Sequence, residues 1–148
     1  MSSIPEQIVQ AGKLMFERRL TDIAGGNVSC RRGDRIFITP TGAGQKYLWD
    51  LRPEQILSAP IADDTLLSDP RCSQESLSHL LVYRAFPEAQ AIIHSHPFHI
   101  MPFCAAETPI PALLKATQLY ADRFDFIPDA PMYSTEQAEA IVAGLKPH

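Results

Sequence analysis

Between residues 5 and 20, Ile8, Val9, Ala11, Leu14, Met15 and Leu20 recur near helical spacing, leaving Glu6, Gln7, Lys13, Glu17 and Arg18 to face water. The pattern predicts an amphipathic first helix. Gly25-Gly26-Asn27 interrupts it, and Val28-Ser29-Cys30 and Arg35-Ile36-Phe37-Ile38 read as two strands turned at Arg32-Gly33-Asp34. Residues 39–44 form a loop by composition, residues 51–57 read as one helical turn, and residues 62–65 as a turn between short extended segments. A helix is predicted from about Gln74 to Ala85, with Ser73 as its N-cap and Pro87 stopping it. Residues 89–96 read as a strand, residues 98–106 as a short buried helix, residues 112–120 as a further helical segment and residues 124–133 as a short strand and loop. A last helix is predicted from Ser134-Thr135-Glu136, with Gly144 as its C-cap. Helices and strands in this alternation imply an α/β fold, a mixed sheet covered by helices in one domain over residues 1–148.

Composition narrows the partners. With 148 residues and 45% hydrophobic content the chain can bury one core. A net charge of −4, with no basic run longer than Arg18-Arg19 or Arg31-Arg32, argues against a nucleic-acid surface. No apolar run approaches membrane-spanning length, and residues 1–6 lack the signature of a secretory leader, so a cytoplasmic protein with no membrane partner is expected. Cys30, Cys72 and Cys104 are widely spaced and odd in number, which suits reduced, buried thiols.

The chemistry concentrates at His94-Ser95-His96, which closes the apolar run Ala91-Ile92-Ile93 and precedes Pro97. Alternate residues of a strand face one side, so both imidazoles can reach a single divalent ion. Glu75, at the start of the predicted helix, is a carboxylate that can sit beside such an ion without ligating it, as an acid/base. His79, four residues on, shares its helix face and reads as a supporting or packing residue. Gly25-Gly26-Asn27 and Thr41-Gly42 can together cradle an anion through backbone N–H groups, and neither matches a nucleotide-binding fingerprint.

Gly26-Asn27-Val28-Ser29, Ile38-Thr39-Pro40-Thr41-Gly42, Ser73-Gln74-Glu75 with His79, and Ala91 through His96 occur in an order and spacing that resembles the class II aldolase/adducin family. The resemblance covers nearly the whole chain and is nearest to fuculose-phosphate aldolase-like members. It implies a three-layer domain and a Zn2+-dependent lyase, other divalent metals being possible. Such a lyase cleaves a small-molecule sugar phosphate into dihydroxyacetone phosphate and an aldehyde through an enediolate. Carried over, His94 and His96 are metal ligands and Glu75 is the acid/base at the enediolate carbon. Asn27, Thr41, Gly42 and Ser73 line the phosphate pocket. A homo-oligomer, by family habit a tetramer, is implied as well.

The same resemblance places a third metal histidine in a strand after the last predicted helix, just beyond Leu145-Lys146-Pro147-His148. Either the chain is a truncated form, or the third ligand comes from His148, His99 or another subunit; an uncovered sheet edge and a tendency to associate are implied as well. Gln74 stands where phosphate-binding members often carry serine, and Lys115 near where an aldolase places a tyrosine. Decarboxylases, dehydratases and non-catalytic adducin-like modules share the scaffold, so the reaction is not fixed by fold. His94-Ser95-His96-Pro97 also opens a JAMM-type metalloprotease motif, but Cys104 and Glu107 occupy its later serine and aspartate places.

Overall fold

Ser3 starts the first helix by capping it: its hydroxyl accepts from Glu6 N, the Glu6 carboxylate accepts from Ser3 N, and Pro5 sits in the first turn. The structure is a computed structural model, and it describes residues 2–120 and 125–145. Helix α1 spans Ile4–Glu17, shorter than the predicted run, because the chain leaves it at Arg18 and Leu20 stays half exposed. Its inner face buries Ile8, Gly12 and Met15, and each large apolar side chain removed from water contributes roughly 1.5–3 kcal/mol.

Strands β1 (Asn27–Arg32), β2 (Arg35–Ile38), β3 (Leu57–Pro60) and β4 (Ala91–His94) form a sheet in the order β3-β2-β1-β4. All three pairings are antiparallel, so the sheet expected to be mixed is antiparallel throughout the described residues. The cause is connectivity: a two-residue turn at Gly33 (φ 61°) reverses β1 into β2, and the long excursion after β3 returns β4 alongside β1 in the opposite sense. The remaining α-helices are α2 (Ala43–Tyr47), α3 (Ser76–Ala85), α4 (Met101–Ala105), α5 (Lys115–Gln118) and α6 (Thr135–Gly144).

Strand alternation divides the core. Val28 and Cys30 point toward α1, where Ile8, Met15, Leu51 and the fully buried Trp49 complete one cluster. Ile36 and Ile38 point the other way, against Leu57, Ala59, Leu80 and Tyr83, and α6 packs outside α3. Helices therefore cover both faces in three layers.

Between these layers Ser29, His79 and Tyr83 form a buried polar chain. Ser29 Oγ lies 2.7 Å from His79 Nδ1 and 2.8 Å from the Tyr83 hydroxyl, and the Arg31 guanidinium donates to the carbonyls of Tyr83 and Pro87. Burial drives the His79 pKa down from 6.5 to about 3, so its imidazole is neutral at working pH. An unfolded chain protonates this ring near 6.5 while the folded chain refuses the proton until about 3. His79 thus contributes full stability above pH 6.5, which is lost as pH falls toward 3, on the order of 5 kcal/mol across that window. Urea midpoints measured from pH 7 to pH 4 are expected to fall, and His79→Gln is expected to flatten part of that fall. An unchanged slope in the variant would remove His79 from the cause.

Several smaller elements differ from their expected form. Residues 53–55 make a 3-10 turn before β3, and residues 65–68 make another where the sequence predicts an extended segment. Helix α4 is short and has no buried residue, with Phe98 76% exposed ahead of it. Residues 125–133 hold no strand, and position 124 lies outside the described residues. Cys104 is exposed, while Cys30 and Cys72 are half-buried, and all three thiols are free. Helix α6 begins at Thr135, close to its expected start, with Ser134 as its N-cap, and Leu145, not Gly144, is its C-cap. No described helix is long and apolar enough to cross a membrane.

Candidate metal centre

The site grows from the register between β1 and β4. Asn27 pairs with His94 across the two strands, which puts both side chains on the α3 face, and Ser29 pairs with Ile92 two residues along. β4 ends at His94, so His96 lies beyond the strand and is not aimed by alternation. The chain after the strand instead brings its ring back, and the two Nε2 atoms come to 3.2 Å with ring planes at 66°.

Glycine makes that return possible. A Cβ on Gly25 would stand 2.1 Å from His96 Cε1, so the ring fills the space that any other residue would occupy. The loop expected to cradle an anion is thus filled at Gly25 by an imidazole. Asp22 organises the same loop: its Oδ1 accepts from Ala24 N at 2.8 Å and Gly25 N at 3.0 Å, and stands 3.5 Å from His96 Nδ1. Trp49 Nε1 donates to the Asp22 carbonyl at 2.8 Å, and Trp49 itself packs over Gly12 of α1. The helical layer is tied to the histidine loop through one indole.

Asn27 is 2% exposed. Its Nδ2 lies 3.3 Å from Ser73 Oγ and 3.4 Å from His94 Nδ1, and its Oδ1 is buried with no hydrogen-bond partner among the described residues. With the amide nitrogen toward the ring, His94 carries its proton on Nε2 and donates to His96 Nε2. With the amide turned over, the oxygen receives Nδ1–H and the Nε2 lone pair is free for a cation. Burial, with the neighbouring His96, lowers the His94 pKa, which favours the neutral, ligating form.

Glu75 is the N-cap residue of α3, which begins at Ser76; the expected N-cap, Ser73, acts two residues earlier by accepting from Glu75 N at 3.4 Å. The Glu75 carboxyl is half-buried and accepts from Ser78 Oγ at 3.4 Å. Burial raises its pKa, and the Ser78 hydroxyl and the charge of His96 lower it by less. Glu75, Ser78, His79 and His94 line one cavity of about 600 Å³ with the apolar side chains Val82, Ile92 and Ile141. Thr41 lines a different, smaller depression with Lys46 and Arg71, and Gly42 (φ 72°) caps α2 beside it. Thr41 N donates to the Arg71 carbonyl, which links this depression to the segment carrying Ser73. The structure therefore brings Asn27, Ser73, Glu75, His94 and His96 together and sets Thr41 and Gly42 next door.

Two imidazole nitrogens on one tetrahedral zinc, each at ~2.0–2.1 Å, stand roughly 3.3–3.4 Å apart. The 3.2 Å between His94 Nε2 and His96 Nε2 fits two such ligands. Among the described residues no group of three His, Cys, Asp or Glu forms a complete set. His99 is exposed against Phe98 and does not join the pair, and His148 lies outside the described residues. Cys104 and Glu107 line a separate cavity that includes neither histidine, which removes the metalloprotease constellation.

Residues 6–148 match the family model described as the class II aldolase and adducin N-terminal domain. The chain belongs to the class II aldolase and adducin family. It is 24% identical over 136 residues to an L-fuculose phosphate aldolase of Methanococcus vannielii, covering 92% of this chain and 72% of that relative. It is 36% identical over 96 residues to a 3-oxo-tetronate 4-phosphate decarboxylase of Haemophilus influenzae, covering 64% of this chain and 44% of that relative. The solved L-fuculose-1-phosphate aldolase from Thermus thermophilus superposes with a TM-score of 0.78 at 26% identity, over 98% of this chain and 71% of that one. The fold class read from the sequence is thus the fold of this family. Asp22 and Trp49 carry no site signal in the sequence, and Gly25 only that of a loop; Asp22-Ile23-Ala24-Gly25-Gly26 signals a turn until His96 is seen against it.

Proposed function

We propose that this member of the class II aldolase and adducin family is a metal-dependent aldehyde-lyase that cleaves a sugar phosphate resembling L-fuculose 1-phosphate by retro-aldol chemistry. The observation that carries this reading is the approach of two imidazoles, Nε2 to Nε2 at 3.2 Å, one of which, His94, lines a cavity together with the Glu75 carboxyl. His94 and His96 would hold a divalent cation, zinc first, which when bound supplies Lewis-acid polarisation of the substrate carbonyl. Glu75 returns a proton to the carbon beside that carbonyl on cleavage and removes it in the reverse addition. Its raised pKa, and its position at the start of α3, support that part. Ser73, with Asn27 behind it, and the neighbouring Thr41 and Gly42 are proposed to receive the phosphate. Three free thiols support a cytoplasmic setting. The outer edge of β4, with Ile93 56% exposed, supports a homo-oligomer, a tetramer in the family pattern.

A decarboxylase is the second reading, favoured by the higher local identity to the Haemophilus influenzae enzyme. Zinc-loaded protein offered L-fuculose 1-phosphate and, separately, 3-oxo-tetronate 4-phosphate separates the two. Triose phosphate released from the first, with no carbon dioxide from the second, is expected; carbon dioxide release alone would overturn the aldolase reading.

A further inference from the structure

We infer that Asp22 is a positioning residue that fixes the tautomer of His96, holding its proton on Nδ1 so that the Nε2 lone pair points at His94. The inference rests on the proposed metal centre but concerns the metal-free ring. An ionised carboxylate only accepts hydrogen bonds, so the ring nitrogen facing it must carry the proton. Asp22 Oδ1 faces His96 Nδ1 at 3.5 Å, while His96 Nε2 is the atom that meets His94 Nε2 at 3.2 Å. Neither side of the contact is free to drift. The carboxylate is pinned by Ala24 N and Gly25 N and its backbone by the Trp49 indole, and the ring lies against Gly25 in the space a Cβ would fill. A carboxylate behind a ligating imidazole also raises the basicity of the far nitrogen, which is how an outer group tunes a metal it never touches.

Asp22 thus fixes the His96 tautomer in both orientations of the Asn27 amide, including the one that leaves no proton on His94 Nε2. A neutral imidazole offers its lone pair at either nitrogen, and only one choice serves a cation shared with His94. The test uses 15N-labelled, zinc-free full chain near pH 8, where long-range 1H–15N correlations distinguish the protonated from the bare ring nitrogen. His96 is expected with Nδ1 protonated and Nε2 bare. In Asp22→Ala it is expected to become a tautomer mixture and zinc affinity to fall about 10–100-fold. Asp22→Asn, which keeps an oxygen acceptor at the turn, is expected to restore the tautomer. A wild-type His96 protonated on Nε2, or an Asp22→Ala protein with unchanged tautomer and zinc affinity, would overturn the inference. Should Asp22→Ala not fold, His94→Ala decides: His96 is expected to keep its proton on Nδ1 there, and a tautomer mixture would overturn the inference. A chain that shows the expected tautomer yet binds no zinc leaves Asp22 in its role and removes the metal reading instead.

Discussion

Glu75→Gln is expected to lower turnover of the sugar phosphate by about 10²–10⁴-fold while leaving bound zinc and the melting temperature nearly unchanged. Glutamine keeps the shape of the side chain and an oxygen for the Ser78 hydroxyl, so the cap region of α3 has no reason to rearrange. What it cannot do is take or return a proton. Burial holds the Glu75 carboxyl above its usual range, which makes it a stronger base once ionised. Proton abstraction needs the carboxylate, so the rate of the addition reaction is expected to rise with pH through the Glu75 ionisation. That acid limb is expected to vanish in the variant. A Glu75→Gln enzyme that exchanges the substrate carbon-bound proton with solvent deuterium at the wild-type rate would exclude Glu75 as the acid/base.

His94→Ala is expected to abolish stoichiometric zinc. A complete structural zinc site is worth roughly 10–16 kcal/mol, or about 3–4 kcal/mol per ligand. Removing one imidazole should then weaken binding by ~10²–10³-fold. The loss falls on a pair that supplies both of the described ligating nitrogens, so His96 alone would retain a cation poorly. The fold is expected to tolerate the change. His94 ends an edge strand and contributes to neither buried apolar cluster, whereas the Ser29, His79 and Tyr83 chain that ties β1 to α3 is left intact. Zinc content by elemental analysis that stays near one per chain in the purified variant would contradict the assignment.

The sequence makes some of this legible because the signal is local. The amphipathic run of α1, the glycine turn between β1 and β2 and the start of α6 at Ser134-Thr135 are each decided within a few residues, and each agrees with its reading from sequence. The His94-Ser95-His96 spacing points to converging imidazoles, but by the wrong route. Strand alternation fails at His96, because β4 has already ended, and a glycine and an aspartate far earlier in the chain bring the ring back. Such a contact leaves no periodic trace. The same limit explains α4, whose apolar composition suggests burial although none of its residues is buried, since composition records what a helix could bury and not what stands opposite. It also explains Thr41 and Gly42, whose loop composition suits a ligand site while only the folded chain shows them in a neighbouring depression. The sheet direction is hidden for a related reason: periodicity marks a strand but carries no information on which way the long connection before β4 returns it.

The two-imidazole centre is tested most directly by zinc-edge X-ray absorption on the purified protein, wild type beside a His94→Ala/His96→Ala variant. Wild-type spectra should contain two imidazole nitrogens at about 2.0–2.1 Å from one zinc per chain, and the variant should hold no zinc in that environment. A wild-type spectrum without imidazole scattering, or the same spectrum from the double variant, would contradict the metal centre and the reaction built on it.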